Sequence, residues 1–303
     1  RQLALAYRKA LLQVEDLSIS VGKEARQSAL AWMTSLRKSH YQEELAALRK
    51  AAYEDEQVKY KAGESTLEDV REAFIAWSQA ETALIDLRQK TRQAETNLHL
   101  TLNSDPSRVM IDPLSLEELY KALTELQTGL DPEYGDYSGQ YSVVAARLEA
   151  ESALTKYNST WLFSPSLNIA ANINPDPIGN PAVSASASFS ISLQDWKGAE
   201  KEQAREELIL AREAALISET RSRLDLLQSL AALDIAGETR KIRELELEQA
   251  KILAEEADFL YGLGKISLLE QWSTLLTLKA AENELFSALA EEYSAWLSVK
   301  RFL

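Results

Sequence analysis

The sequence lacks the residues and segments on which several classes of protein depend. Its 303 residues include no cysteine, which excludes disulfides, Fe–S clusters and thiolate zinc sites. No apolar run approaches the ~20 residues of a membrane-spanning helix. There are only 33 Lys and Arg against 47 Asp and Glu, a net charge of −14. Because phosphate binding needs a basic face, this deficit argues against a nucleic-acid partner.

Features of enzymes and of exported precursors are missing as well. The two histidines, His40 and His99, stand without ligand spacing, so we interpret them as surface or packing residues and predict no metal site and no cofactor. There is no Gly-rich phosphate loop and no G-x-S-x-G elbow, so we predict no enzyme. The opening residues, RQLALAYRKALLQ, are amphipathic without a cleavage site and do not indicate a signal peptide.

What the chain does contain is a series of helix-favouring segments. Ten Gly and seven Pro are few for this length, which predicts long uninterrupted elements. The predicted helices cover residues 1–58, 66–102, 115–129, 139–160, 196–260 and 267–303. At ~1.5 Å per residue, the helix predicted for residues 196–260 would be roughly 95 Å long. Such a helix predicts a rod, a coiled coil or a tube.

The segments at two of the predicted turns resemble each other. Tyr60-Lys-Ala-Gly63 matches Tyr261-Gly-Leu-Gly264, and the separation of the two glycines, 201 residues, also relates Leu67 to Leu268. This offset predicts two copies of one unit, a long helix that turns and comes back.

Two of the helices carry two adjacent apolar stripes. In the last helix the stripes consist of Leu268, Leu275, Leu289 and Trp296, and of Leu269, Trp272, Leu276, Phe286, Tyr293 and Leu297. In the second helix they consist of Val70, Phe74, Trp77 and Leu84, and of Ala73, Ala76, Ala80, Ala83 and Leu87. A two-stranded coiled coil needs one seam. Two seams predict either packed neighbours on both sides, as in a cylinder wall, or the wide core face of a bundle.

The stretch at residues 165–193 is the only one typical of strands. Val183 to Leu193 alternates apolar residues with serine, and Leu167 to Asn174 alternates in a similar way, which predicts a β-hairpin. Each strand has about the length that a tilted transmembrane strand needs. The alternatives are a barrel hairpin and a soluble hairpin packed on the helices.

Four features together resemble the TolC-like outer-membrane efflux proteins, the exit ducts of tripartite efflux pumps and type I secretion systems. They are the helical stretch YSVVAARLEAESALTKYNSTWLFSPSLNI, the passage FSISLQDWKGAEKEQAREE, the paired turns YKAGESTLEDVREA and YGLGKISLLEQWST, and the internal duplication. The similarity covers nearly the whole chain.

The resemblance implies a mainly α-helical homotrimer in outer-membrane lipid with a long periplasmic extension. Antiparallel helical hairpins would form a periplasmic tunnel wall, and the β-hairpins would contribute to a shared barrel. The duct would pass small molecules or secreted proteins, and its partners would be a periplasmic adaptor (membrane fusion protein) and, through it, an inner-membrane transporter. On this basis we divide the chain into a first repeat at 1–112, an equatorial segment at 113–138, and a second repeat at 139–303 with helices at 196–303.

The chain departs from the family pattern because it has one strand pair, whereas the pattern has two. The smallest transmembrane barrels have about eight strands, so one pair per subunit of a trimer is too few. The 201-residue offset places the second pair just before Arg1, and we therefore expect a first hairpin upstream of that residue.

The resemblance also implies roles for residues at the turns and strands. Adaptor-contact candidates are Gly63, Ser65, Gly264 and Ser267, and candidates for a constricted entrance are Glu68, Asp69, Glu72 and Glu270. Candidates for the barrel lumen are Asn168, Asn172, Ser184, Ser186, Ser188 and Ser190. At the turns a structural explanation stays open, since glycine ends helices in left-handed caps and acids favour helix starts.

A second class of function stays open beside the duct. A periplasmic helical-hairpin scaffold or pump adaptor without a membrane barrel would contain similar hairpins. An adaptor should also contain lipoyl-like and barrel domains rich in Gly and β-branched strands, which this sequence does not contain.

Overall fold

The computed structural model describes residues 2–104, 113–128, 137–160, 165–175, 181–191 and 197–302. The elements in these ranges are α1 (Gln2–Ala62), α2 (Leu67–Thr101), α3 (Leu116–Thr128), a 3₁₀ turn (Tyr137–Gly139), α4 (Tyr141–Ser159), β1 (Pro165–Pro175), β2 (Pro181–Ile191), α5 (Gly198–Gly262) and α6 (Leu268–Lys300). All six predicted helices are confirmed, with ends within about four residues of the prediction. Residues 176–180, 192 and 193 of the predicted stretch at 165–193 lie outside the described residues.

The chain divides into two compact units. The first unit consists of Arg1–Val14 and Tyr137–Arg223, and the second consists of Glu15–Asp136 and Leu224–Leu303. Each unit therefore takes sequence from both predicted repeats, and the division of the chain at 1–112, 113–138 and 139–303 stays a prediction.

The first unit contains the predicted β-hairpin. Strands β1 and β2 are antiparallel and pair from Pro165 opposite Ile191 to Pro175 opposite Pro181. Proline at both ends of β1 and at the start of β2 is consistent with strand boundaries, because proline cannot donate to the ladder. Helix α4 contacts the first part of α5 through the ion pair Lys156 to Glu207, at 2.5 Å.

In the second unit, α1 and α2 pack as an antiparallel hairpin. The Gln42 side-chain amide donates to the Ala80 carbonyl at 3.0 Å, and the Thr91 hydroxyl donates to the Ser35 carbonyl at 3.1 Å. On α2 the buried positions Ala80, Leu84 and Leu98 follow the 3.5-residue spacing of a coiled-coil seam. The first predicted hairpin is therefore present.

Helix α6 has packed neighbours on two sides. Its Lys279 pairs with Glu44 of α1 at 2.6 Å, and its Glu284 lies 3.7 Å from Arg243 of α5. The guanidinium of Arg37 on α1 also lies 4.3 Å from the centre of the Phe286 ring. Helix α6 therefore contacts both α1 and α5, and the choice between a cylinder wall and the wide core face of a bundle stays a prediction.

The core of the second unit lies where α1, α5 and α6 meet α3 and the end of α2. Its members include Met33, Leu98, Leu119, Leu123, Leu233, Leu247, Phe286, Leu289, Trp296 and Val299. Helix α3 has a strongly one-sided apolar face, and Leu119 and Leu123 bury that face against the core. His99 is also buried, and its Nδ1 lies 2.9 Å from the Ser104 hydroxyl, which makes it a packing residue.

Candidate functional site

The turn between α1 and α2 is built around Gly63. This glycine has φ = 78°, a left-handed conformation that costs other residues free energy because of their Cβ. Its N–H donates to the Tyr60 carbonyl at 3.1 Å, and the Glu64 N–H donates to the Lys59 carbonyl at 2.9 Å. These are the two hydrogen bonds of a Schellman motif, so the structural explanation offered for Gly63 is confirmed.

The turn between α5 and α6 has the same local structure around Gly264, whose φ is 69°. The Gly264 N–H donates to the Tyr261 carbonyl at 2.8 Å, and the Lys265 N–H donates to the Leu260 carbonyl at 2.9 Å. Each of these donors and acceptors is 201 positions beyond its counterpart in the first turn. The sequence match of the two turns is therefore also a structural match.

Both helices that follow the turns begin with a capping box. At α2 the Thr66 N–H donates to Asp69 Oδ2 at 2.8 Å, and the Asp69 N–H donates to Thr66 Oγ1 at 3.2 Å. At α6 the Ser267 N–H donates to Glu270 Oε2 at 2.7 Å, and the Glu270 N–H donates to Ser267 Oγ at 3.2 Å. Asp69 and Glu270, two of the predicted entrance residues, thus satisfy the otherwise unpaired N–H groups of their own helices.

The capping hydrogen bonds stabilise both carboxylates in their charged form. The Thr66 hydroxyl and then the Thr66 N–H lower the pKa of Asp69 below its ordinary value. The Ser267 N–H and then the Ser267 hydroxyl lower the pKa of Glu270. Both acids are exposed, so each is a fixed negative charge at the tip of a hairpin.

The other predicted turn residues are also at the surface. Gly63, Gly264, Ser267, Glu68 and Glu72 are exposed, and Ser65 is half-buried. The structure brings all of them except Glu72 into the turns or the first turn of the following helix, and Glu72 lies one turn further along α2. Their roles in adaptor contact and in an entrance stay predictions.

Apolar side chains beside the turns were not predicted as site residues. Leu67 is 60% exposed and Leu268 is 59% exposed, at equivalent positions of the two turns. Leu263 and Val58 are also exposed there. Each hairpin tip therefore presents apolar surface next to its fixed carboxylate, an arrangement that suits contact with another protein.

Side-chain bonds close to the tip connect the turn to α1 in the first hairpin and α6 to α5 in the second. In the first hairpin the Ser65 hydroxyl donates to Glu56 Oε2 at 2.8 Å, and Lys59 pairs with Glu56 at 2.8 Å. In the second hairpin the Gln271 side-chain amide donates to Asp258 Oδ1 at 2.5 Å. The sequence contained no signal for Glu56 or Asp258, because both lie on acid-rich helix faces typical of solvated surface.

A second feature of the hairpins is a row of exposed apolar side chains on α5, which we call the α5 seam. It consists of Ile235, Ile242, Leu245, Ile252 and Phe259, and each is more than half exposed. The spacing is that of coiled-coil a and d positions. The opposite side of the helix is buried within the chain, through Leu233, Ala236, Leu247, Ala250, Ala254 and Ala257.

The strand register keeps the two residue classes of the β-hairpin apart. Asn168 pairs with Ser188, and the next pair is Ile169 with Ala187. Further along, Asn172 pairs with Ser184. The remaining predicted lumen residues, Ser186 and Ser190, pair with Ala170 and Ser166. Since directly opposite residues share a face, Asn168, Ser186 and Ser188 fall on one face, and Ile169 and Ala187 fall on the other. The side chains of Asn172, Ser184 and Ser190 lie outside the described part of the structure.

A polar cluster that sequence reasoning missed attaches α3 to α5 and α6, and we call it the α3 network. Arg240 Nε donates to Glu292 Oε2 at 2.5 Å, and a second guanidinium nitrogen donates to Glu244. From α3, the Tyr120 hydroxyl donates to Glu244 at 2.6 Å, and the Gln127 amide donates to Glu292 at 3.1 Å. Burial, followed by the hydrogen bond to Glu244, raises the pKa of Tyr120 to about 12.

Two absences apply to the described part of the chain. No helix there is both long and apolar enough to cross a bilayer. No group of three or more His, Cys, Asp or Glu residues there is arranged to hold a metal ion.

The sequence matches no protein-family model and no curated protein. Solved structures, in contrast, match its fold over nearly the whole chain. A membrane protein from Pseudomonas aeruginosa aligns with a TM-score of 0.68 at 15% identity, covering 99% of this chain and 69% of that one. The outer-membrane protein VceC of Vibrio cholerae aligns with a TM-score of 0.61 at 16% identity, covering 99% of this chain and 74% of that one.

The outer-membrane channel CmeC of Campylobacter jejuni aligns with a TM-score of 0.63 at 12% identity, covering 99% of this chain and 66% of that channel. The fold is that of the TolC-like outer-membrane channels. The resemblance predicted from the turns, the strands and the duplication is therefore confirmed at the level of fold. This chain spans about two thirds to three quarters of the length of these three structures.

Proposed function

We propose that this chain is a subunit of a trimeric outer-membrane exit duct. The duct passes small molecules or secreted proteins outward from a periplasmic adaptor and an inner-membrane transporter. The observation that carries the proposal is the α5 seam, an unpaired coiled-coil surface on a chain that has the fold of outer-membrane channels. The alternative is a periplasmic scaffold or adaptor, and the solved structures of similar fold do not favour it.

The α5 seam needs a helical partner from outside the subunit. Five large apolar side chains in heptad register leave a strip that soluble monomers rarely expose. The helix at the other edge of the subunit, α2, carries exposed apolar side chains of its own, including Phe74, Ile75 and Ile85. In our proposal α5 of one subunit packs on α2 of the next. Such a head-to-tail contact closes a ring when the rotation between subunits fits.

The β-hairpin provides the membrane part of the proposed duct. Its register separates an apolar from a polar face, as a barrel wall requires. An open hairpin edge is not tolerated in lipid, so hairpins from several subunits must join. The matching hydrogen bonds of the two turns support the further proposal that the helical part is a two-fold repeat.

The hairpin tips are the proposed contact with the adaptor and the proposed entrance. Exposed Leu67 and Leu268 beside Gly63 and Gly264 supply the apolar surface on which an adaptor docks. The negative charges of Asp69 and Glu270 have lowered pKa values, and in a trimer they form rings of carboxylates, which favour cations over anions.

Assembly tests the proposal most directly. The full-length protein in detergent should have the mass of a trimer by light scattering. Ile252→Glu places a charge in the α5 seam and should convert the trimer to monomers. Lys251→Glu adds an acid at the adjacent exposed position outside the seam and should leave the trimer intact. A stable wild-type monomer, or equal behaviour of the two variants, would contradict the duct.

Conductance tests the entrance separately. Single channels of the wild-type trimer in planar bilayers should select cations, and Asp69→Asn with Glu270→Gln should reduce that selectivity. Glu68→Gln with Glu72→Gln removes the same number of charges without touching a capping box, and so it separates charge from helix capping. Unchanged selectivity in both double variants would mean that these acids serve only as helix-start residues or surface charges.

A further inference from the structure

A cavity of about 310 Å³ lies between α1 and α6 in the second unit, and its lining is basic. Lys23 and Arg26 contribute from α1, and Lys300 and Arg301 contribute from the end of α6. Four cations around one opening contrast with the net charge of −14 of the whole chain.

Three of the four cations have no carboxylate partner among the described residues. Arg301 donates to Asp16 at 3.0 Å. Within the part of the chain that the structure describes, Lys23, Arg26 and Lys300 form no salt bridge. None of the described lining residues is acidic. Burial and then the charge of Arg301 lower the pKa of Lys23.

The end of a helix explains only half of this arrangement. Lys300 lies in the last turn of α6 and Arg301 is its C-cap residue, where the helix dipole favours cations. Lys23 and Arg26 lie in the interior of α1, about forty residues before that helix ends, so the dipole of α1 does not account for them. The presence of basic side chains from both α1 and α6 around the same cavity therefore needs another explanation.

The cavity also has open space for a ligand. A Cβ added at Gly22, on the α1 side, would meet no heavy atom within 4 Å. On the α6 side, the buried side chain of Leu297 forms an apolar wall. Arg26, Lys300 and Arg301 are exposed and lie at the mouth, whereas Lys23 is half-buried. A small anionic group can therefore enter and meet all four side chains.

We propose that this basic cavity binds a phosphate group, either as a free phosphate anion or as the headgroup of an anionic lipid. Lysine and arginine supply charge-assisted hydrogen bonds to phosphate oxygens, and arginine supplies them in pairs. A bound phosphate relieves the repulsion among the cations and connects α1 to the end of α6. The inference concerns a ligand site in one subunit and does not depend on the proposed duct.

Two measurements on the full-length protein in detergent distinguish the two sources. In the first, inorganic phosphate is titrated calorimetrically at 50 and 500 mM NaCl. In the second, the protein is reconstituted in phosphatidylcholine vesicles with or without phosphatidylglycerol and solubilised again, and the retained phospholipid is counted by phosphorus analysis. Saturable phosphate binding that weakens in high salt indicates a free anion. Retained phosphatidylglycerol without phosphate binding indicates a headgroup.

Variants show whether either signal comes from the cavity. Lys23→Gln with Arg26→Gln should weaken binding roughly tenfold or more. Arg49→Gln with Lys50→Gln removes the same charges elsewhere on α1 and should change nothing. Gly22→Leu keeps all four cations but fills the open space, so it should abolish binding while leaving the fold intact. No binding to the wild type in either measurement, or equal binding to all variants, overturns the proposal.

Discussion

The α3 network predicts unequal effects for its two central residues. Arg240 bonds both Glu292 and Glu244, whereas Glu292 has Arg240 as its only charged partner among the described residues. The Glu292 side chain is 5% exposed. Arg240→Met therefore leaves a buried carboxylate with only the Gln127 amide. Glu292→Gln leaves Arg240 still paired with Glu244.

The expected magnitudes follow from the cost of isolating a buried charge. Removing one partner of a buried pair costs about 3–5 kcal/mol, which is the expectation for Arg240→Met. Replacing a charged acceptor by a neutral one loses about 1–2 kcal/mol, which is the expectation for Glu292→Gln. The double variant Arg240→Met with Glu292→Met removes both charges and should recover most of the loss, because apolar replacement of a buried pair is often neutral.

The assay combines a global and a local measurement. Thermal unfolding of the full-length protein is followed by circular dichroism at one fixed scan rate, since unfolding of large proteins is often irreversible. The midpoint of Arg240→Met should fall by about 6 °C or more. Hydrogen exchange of the α3 amides, residues 116–128, should rise in the same variant because α3 loses its polar attachment. Equal midpoints for Arg240→Met and Glu292→Gln, or no recovery in the double variant, would refute the reasoning.

Three further predictions concern the turns and the strands. Gly264→Ala should cost about 1–2 kcal/mol because its φ is 69°, whereas Gly262→Ala, inside α5, should not destabilise in the same unfolding assay. Acid should open the first turn. The pKa of Asp69 is lowered in the folded state, so its carboxylate stabilises the fold at pH values above the ordinary pKa near 4, and this stabilisation is lost as the pH falls through the lower pKa of the folded state. Unchanged hydrogen exchange of the amides at the start of α2 down to pH 2 would contradict this prediction. If the hairpin enters a barrel, Ala187→Arg should impair outer-membrane assembly by about 2–4 kcal/mol per subunit, and Ser188→Arg should be tolerated.

The long-range plan of the fold could be read from the sequence because it depends on periodic and local signals. Scarce Gly and Pro predicted the long helices, and the two turn glycines predicted where the chain reverses. Alternating serine predicted β2, and its partner β1 followed. Each of these signals involves residues close together in the sequence.

The side-chain constellations could not be read in the same way, because they join distant segments. Arg240 and Glu292 are 52 residues apart, and their pairing depends on how α5 and α6 align. One signal was nevertheless present: Glu292 stands midway in a heptad series with Leu285 and Val299, both buried. A carboxylate in such a series predicts a buried partner. The four bases of the cavity gave no comparable signal.

The Schellman and capping-box turns have a consequence for the order in which the chain folds. Their hydrogen bonds connect residues no more than five positions apart, and the links from Ser65 to Glu56 and from Gln271 to Asp258 span nine and thirteen positions. Closing such short loops is fast, while contacts between distant residues form slowly. We therefore expect each pair of long helices to begin associating at its turn, and the contacts to form progressively toward the far ends. The turns would then determine the register of α1 on α2 and of α5 on α6.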